Sequence, residues 1–171
     1  MPIRFVSFSC PHTRREGRPR VLGHNMTEPN PTALGALCAA VAFAASALYV
    51  STIENPARAA LDAPAELKAW KPSYKRAAGM QGMLAIIGSV LGWLTFRATG
   101  DPAWKVGSIF LASNWPWTVL VLMPINRGLL ATPTGNARTH AALVHWIHLH
   151  HARTALGLMA AGTMFSALAV K

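Results

Sequence analysis

The stretch ALGALCAAVAFAASALYVSTI, from Ala33 to Ile53, contains no charged residue and no regular alternation of apolar and polar positions. A helix rises about 1.5 Å per residue, so a run of this length can cross the hydrocarbon core of a bilayer, which is about 30 Å thick. Three further runs have the same character, and they extend from Ala77 to Phe96, from Val106 to Asn126 and from Thr154 to Val170. The pattern predicts four membrane-spanning helices.

The composition also favours a membrane protein over a soluble one. Apolar residues make up 52% of the 171 residues and charged residues only 13%, whereas about 25% of the residues in a soluble domain are charged. A net charge of +10 could suggest nucleic acid, but no aromatic stacking platform accompanies the basic residues. We expect a lipid bilayer, and no nucleic acid, as a partner. Cys10 and Cys38 are too few and too badly placed for a disulfide framework.

We therefore predict an all-α fold, a four-transmembrane-helix antiparallel bundle, formed by residues 33–171. Small residues such as Gly88 and Gly92 would let the helix backbones approach closely, which is how helices pack in lipid. The predicted spans are 33–53, 77–96, 106–124 and 152–170.

Residues 1–32 differ from the rest because they contain five arginines and five prolines. We expect a disordered, basic tail, since such a segment cannot bury a core. It lacks the apolar stretch and cleavage site of a secretory signal, which leaves an organellar presequence or a translation start at Met26 as alternatives. The basic residues divide equally between the two sides of the bundle. If translation starts at Met26, the remaining basic residues favour a cytoplasmic location for the two long loops.

Four helix ends would meet at one membrane face: the ends of spans one and three and the starts of spans two and four. The unusual polar residues of the chain gather there, and they are Glu54, Asn126, Arg127 and the run HWIHLHHAR from His145 to Arg153. Ionisable groups at the edge of a bundle act either as interfacial anchors or as site residues.

A helical wheel separates two groups within that run. Trp146, His150 and Arg153 fall on one face about 60° wide. An indole can stack on a flat aromatic molecule, a guanidinium can hold a phenolate or enolate, and an imidazole can move a proton near neutral pH. The alternative interpretation is an interfacial aromatic belt at a basic helix start.

His145, His148 and His151 fall on another flank of the same helix. Their spacing would allow them to share a metal, with His140 as a fourth ligand. The run contains no Asp, Glu or Cys, however, and no HExxH arrangement. We predict no metal site, and a metal at His145, His148 and His151 stays open as the alternative.

Span three contains Asn114, Trp115 and Pro116 inside its uncharged run. Pro116 lacks a backbone donor, so it should kink the helix and free carbonyl groups near Ala112. Asn114 could satisfy such a carbonyl or line a pocket, because a buried amide in lipid needs a partner. Pro124 should mark the end of this span.

Three blocks of the sequence resemble a known family. They are ALYVSTIENPARAAL (47–61), NWPWTVLVLMPINRGLLATP (114–133) and HWIHLHHARTALG (145–157). In this order, they are similar to the anthrone oxygenases, small four-helix membrane proteins that are also described as a domain of unknown function. The resemblance covers roughly residues 33–170.

The resemblance implies an enzyme of aromatic polyketide biosynthesis, a branch of secondary metabolism. Such a monooxygenase uses dioxygen, without metal or flavin, to oxidise the central methylene of an anthrone to the carbonyl of an anthraquinone. The substrate would be a small aromatic polyketide. In this chain the implied catalytic residues are His150, Glu54 and Arg153. The implied substrate-binding residues are Asn126, Trp115, Trp146 and Asn114.

A second function remains open from the sequence. A small membrane protein without catalytic activity could bind a lipid, a quinone or a partner helix, with Trp and His side chains as interface anchors. The oligomeric state, the organelle and the particular substrate have no signal in the sequence.

Overall fold

The computed structural model describes residues 30–169, and within that range the chain forms four helices and no strand. The helices are α1 (Pro31–Ala59), α2 (Ala63–Thr99), α3 (Pro102–Ala131) and α4 (Ala137–Ala169). The predicted all-α class is confirmed for this part of the chain. The tail up to residue 29, including Cys10 and Met26, lies outside the described residues, as do residues 170 and 171.

Each helix begins at a polar side chain that binds a free backbone N–H group. The oxygens of Asn30, Asp62, Asp101 and Asn136 accept hydrogen bonds from N–H groups two or three residues further on. Proline occupies one of the first two positions of α1, α2 and α3, where its missing N–H costs nothing. These signals in the sequence set where the helices start.

The helices α1, α2 and α3 are long and apolar enough to cross a membrane. In α4, the uncharged run occupies only the second half, from Thr154 onward. With 37 and 33 residues, α2 and α4 are longer than a bilayer core requires. The segments between the predicted spans are therefore mostly helical, and they extend the bundle beyond the uncharged runs.

Prolines interrupt the hydrogen-bond ladders of α1 and α3. Pro56 and Pro124 each follow a π-helical turn, at Val50–Glu54 and Thr118–Leu122 respectively. A π-turn is a common way for a helix to accommodate a disturbed ladder. Pro124 does not end α3, contrary to expectation, because the helix continues to Ala131.

A second interruption in α3 lies at Ser113, three residues before Pro116. The Asn114 Nδ2 atom donates to the carbonyl oxygens of Phe110, at 3.3 Å, and Leu111, at 3.2 Å. The kink at Pro116 stays a prediction, whereas the hydrogen bonds of Asn114 to carbonyls near Ala112 fulfil the first of its two predicted roles.

Two apolar clusters pack the four helices together. The first consists mainly of small residues and includes Ala36, Phe43 and Met164. The second is rich in aromatic residues and includes Trp70 and Trp146. On α2, α3 and α4, four buried polar side chains lie between these clusters along the chain, so they share one layer of the bundle. These residues are Gln81 on α2, Asn114 on α3, and His150 and Arg153 on α4.

Glycine lets α4 approach α1 closely in the first cluster. A Cβ at Gly157 would stand 2.7 Å from the Phe43 ring and 3.3 Å from the Ala44 backbone, whereas a Cβ at Gly162 on the same helix would meet nothing within 4 Å. We expect Gly157→Ala to lower the free energy of unfolding by about 1–3 kcal/mol, because Phe43 is fully buried and cannot move aside.

Gly162→Ala is the matched control, and it should leave stability unchanged or slightly raised. Thermal unfolding of the detergent-solubilised variants measures both effects. Equal melting temperatures for the two variants would contradict the close packing of α1 against α4.

Candidate functional site

A cavity of about 130 Å³ lies between α2 and the second half of α3. Tyr74, Ala78, Gln81 and Arg153 line it, and they also line a narrower cavity of about 10 Å³ that reaches Trp146 and His150. The two cavities adjoin because they share these four residues. The narrow part has room for about one water molecule.

Arg153 is the charged residue that the two cavities share. Its side chain is only 6% exposed and lies over the Phe43 ring, with 5.7 Å between the guanidinium carbon and the ring centroid. Its Nε atom has no hydrogen-bond partner, and no carboxylate pairs with it among residues 30–169. A buried, unpaired cation is costly. Such a group is suited to binding an anionic oxygen.

Two buried amides add unpaired polar atoms to the larger cavity. Gln81 is 1% exposed, and its Nε2 atom has no partner within the described chain. Asn114 uses its nitrogen for backbone carbonyls, but its Oδ1 atom accepts no hydrogen bond from the described residues. With the Arg153 Nε atom, the residues that line the larger cavity thus have two donors and one acceptor without a partner in the described chain.

A hydrogen-bonded chain connects His150 to α1. The His150 Nδ1 atom lies 3.2 Å from the Ser51 hydroxyl, which lies 2.9 Å from the Thr154 hydroxyl. The Thr154 hydroxyl in turn donates to the Ala47 carbonyl at 3.3 Å.

These three bonds require three hydrogens, one each from Thr154, Ser51 and His150. All of them are formed only when Thr154 donates to the carbonyl, Ser51 to Thr154, and His150 Nδ1 to Ser51. The tautomer of neutral His150 that satisfies the chain therefore carries its proton on Nδ1, which leaves Nε2 with a free lone pair.

Aromatic rings surround the narrow cavity. Trp70 stacks on Tyr74, with 4.8 Å between ring centroids, and meets Trp146 edge-on at 5.8 Å. Trp146 also lies 4.9 Å from the His150 ring. Asn126 is fully buried and accepts a hydrogen bond of 2.8 Å from the Trp146 Nε1 atom. Asn126 therefore orients Trp146, and it does not line either of the two adjoining cavities.

Glu54 lies outside the lining of both cavities. Its carboxylate accepts hydrogen bonds from Arg58, at 2.7 Å, and from Ser73. Arg58 also donates to Asn55 and lines the narrow cavity. Glu54 thus contacts the site through Arg58 and Ser73, which line the narrow cavity, and not directly.

The other residues that the sequence singled out divide between the site and the surface. Trp115 lines the larger cavity at its outer side and is 44% exposed. Arg127, His145, His148 and His151 are exposed. In residues 30–169, no three His, Cys, Asp or Glu side chains lie close enough together to hold a metal ion.

The sequence did not single out several residues of the site, and these are Ser51, Trp70, Tyr74, Gln81 and Thr154. Gln81 alone had a usable signal, because it is the one amide in the uncharged run from Ala77 to Phe96. The hydroxyls of Ser51 and Thr154 had none, since such residues are common in membrane helices.

The fold and the site define a helical protein of membrane character, with a cavity between its helices that buried polar side chains line. Its sequence matches the family model described as anthrone oxygenase over residues 70–163, which is more than half of the chain. The chain belongs to this family. The matched segment contains Gln81, Asn114, His150 and Arg153, while Ser51 and Glu54 precede it. No curated protein and no solved structure matches the chain.

Asn126 and Gln81, both buried amides, allow a test of which polar groups hold the fold and which are free for a ligand. We expect Asn126→Leu to lower the free energy of unfolding by about 1–3 kcal/mol, because the Trp146 N–H group would lose its acceptor. Gln81→Met, of similar volume, should leave stability unchanged or raised, because the Gln81 amide nitrogen is unpaired. Thermal unfolding in detergent measures both. A comparable loss for Gln81→Met would show that Gln81 serves the fold.

Proposed function

We propose that this protein is a membrane-embedded oxygenase. It converts the central methylene of an anthrone, or of a similar activated phenolic, to the anthraquinone carbonyl, with dioxygen as the oxidant, in aromatic polyketide biosynthesis. One observation carries the proposal: the buried Arg153 guanidinium has no carboxylate partner in the described chain and lies one helical turn from His150, in a cavity with aromatic walls. Membership of the anthrone oxygenase family supports the reaction.

The proposed protein is multi-pass and integral to the membrane, and its four helices run antiparallel. The second half of α4 forms the fourth span. The uncharged run from Thr154 supports this, as do the exposed apolar side chains Leu158, Met159 and Phe165 on the outside of that half.

The first step is removal of a proton from the methylene. The Nε2 atom of neutral His150 takes this proton, and the negative charge moves onto the carbonyl oxygen of the substrate as an enolate. Arg153 binds that oxygen, where its charge is worth most because the site is buried. Gln81 and Asn114 would hydrogen-bond the other substrate oxygens. Trp115 and Trp146 would contact its rings.

The second step transfers one electron from the carbanion to dioxygen. The resulting substrate radical and superoxide combine into a peroxide anion, which takes the proton back from His150. His150 then removes the second methylene proton while the O–O bond breaks, and the released hydroxide leaves with that proton as water. One methylene and one dioxygen thus give one carbonyl and one water. The substrate supplies all the electrons, so we propose that the reaction uses neither metal nor flavin.

Glu54 takes a positioning role in this proposal. It holds Arg58 beside the narrow cavity through the ion pair and the shared contact with Ser73. Asn126 likewise acts through Trp146. His150 is the proposed base because it lines the cavity, which Glu54 does not.

The proposal is tested by incubating the purified protein with a dihydroxyanthrone under oxygen, with and without a chelator, and following quinone absorbance. We expect turnover above spontaneous oxidation that the chelator does not change. His150→Ala should reduce turnover by about 100-fold or more, the usual contribution of a general base. The exposed His148 provides the matched control, and His148→Ala should retain activity.

Three outcomes would count against this function. Quinone formation at the spontaneous rate only, with retained binding of a quinone, would favour a non-catalytic binding protein. Loss of activity with the chelator would favour a metal. Equal losses for His150→Ala and His148→Ala would remove His150 from the base role.

The hydroxyl chain predicts a further effect on turnover. Ser51→Ala removes the acceptor of the His150 Nδ1–H group, so the imidazole can adopt the tautomer whose Nε2 is already protonated. We expect kcat to fall about tenfold or more, with KM little changed. Thr52→Ala is the control, because the neighbouring Thr52 hydroxyl is exposed and donates only to its own helix. A loss of the same size for Thr52→Ala would contradict the role of Ser51.

A further inference from the structure

We infer that the ligand of this site enters sideways from the lipid acyl chains, through a mouth between α2 and the second half of α3. A flat ligand then keeps one end in the mouth while the other end lies inside. This inference rests on the proposed function for the identity of the ligand, a planar polycyclic phenol or quinone.

The rim of the larger cavity lies within apolar, membrane-type sequence. Gly82 forms the α2 side of the rim, and Trp115 and Val119 form the α3 side. Trp115 and Val119 are 44% and 49% exposed, so they face outward from the bundle. All three residues lie inside the uncharged runs of helices that are long and apolar enough to cross a membrane. The mouth therefore opens at the depth of lipid tails.

The shape of α3 accounts for the gap. Its first half, Pro102–Ala112, packs along α2, whereas its second half touches α2 at few places. The change occurs at the interruption of Ser113 and continues through the π-turn Thr118–Leu122. Gly82 widens the gap further, because it has no side chain. A Cβ at this position would lie 3.7 Å from the Trp115 ring.

Three buried polar residues, Gln81, Asn114 and Arg153, are among those that line the cavity, whereas its rim is apolar. The unpaired Gln81 nitrogen and Asn114 oxygen are buried there, together with the Arg153 guanidinium. When a molecule enters from the lipid, apolar side chains would replace lipid around its apolar surface. Its oxygens would gain Gln81, Asn114 and Arg153 as partners. The arrangement selects a flat ligand whose oxygens can reach the interior.

The size of the cavity limits how much of such a ligand it encloses. Its volume of about 130 Å³ is below the roughly 300–1,000 Å³ of pockets that enclose most of a drug-sized molecule. A three-ring ligand must therefore project from the mouth. One terminal ring inserts, and the opposite terminal ring remains between Gly82 and Trp115, next to the lipid.

Binding of dihydroxyanthraquinones to the full chain in phosphatidylcholine nanodiscs tests this geometry. These quinones are stable in air, and quenching of tryptophan fluorescence reports their binding without turnover. The first comparison is between two alkylated quinones. One carries a dodecyl chain on a single terminal ring, and the other carries a dodecyl chain on each terminal ring. With concentrations expressed per lipid, we expect the singly alkylated quinone to bind like the parent and the doubly alkylated quinone at least about tenfold more weakly.

The second comparison changes the mouth itself. Gly82→Leu should weaken binding of the parent quinone by about tenfold or more, because the side chain fills the gap. Gly79→Leu is the control and should bind normally, because Gly79 is exposed on the same helix, lines neither cavity, and has open space where a Cβ would stand. The melting temperature of each variant shows whether it has folded. If Gly82→Leu fails to fold, the alkylated quinones test the inference in the wild-type protein.

Rejection of the singly alkylated quinone would overturn the inference, because it would mean that the site encloses the whole ligand. Equal binding of both alkylated quinones would also overturn it, since adsorption to the surface explains that result. Unchanged binding by Gly82→Leu would point to entry from water. A protein that binds as expected but oxidises no anthrone would leave the mouth supported and the proposed oxygenase function refuted.

Discussion

A proline has no backbone N–H group to donate, and in hydrocarbon no water can satisfy the carbonyl that is left over. Much of the architecture follows from where this constraint acts. Ahead of Pro116 and Pro124, α3 is interrupted twice, at Ser113 and at a π-turn, and the Asn114 side chain donates to the carbonyls of Phe110 and Leu111 beside the first interruption. The second half of α3 then no longer follows α2. The cavity occupies the resulting space, so the cost of irregular backbone is concentrated at the site.

The bundle on either side of this space is packed in two different ways. In the cluster that contains Phe43 and Met164, on one side of the polar layer, alanine and glycine bring the helix backbones together. In the cluster that contains Trp70 and Trp146, on the other side, large aromatic rings fill the wider space between the helices. A polar layer between the two is expensive, because its groups have left water and several have no partner in the described protein. Arg153 represents the largest such cost. Polar groups buried without partners in this way are typical of sites that bind ligands.

The sequence predicted those parts of the structure that depend on local pattern. Uncharged runs located the apolar helices, and the wheel of a single helix grouped Trp146, His150 and Arg153, which line one cavity. It could not find Ser51, because the contact with His150 joins residues 99 positions apart and depends on how α1 packs on α4. The sequence pattern underestimated the lengths of α2 and α4, because an uncharged run indicates which residues fit within the thickness of the bilayer and does not indicate where the helix ends.

A mouth between Gly82 and Trp115 that opens to lipid changes what concentration means for this protein. The effective concentration of a ligand that arrives there is its amount per lipid molecule, and the volume of surrounding water has little influence on it. Adding empty vesicles or detergent dilutes such a ligand even when its total amount is constant. Bulk affinities for this site would therefore scale with the lipid content of the sample. The bilayer acts as the solvent of the reaction as well as the support of the fold.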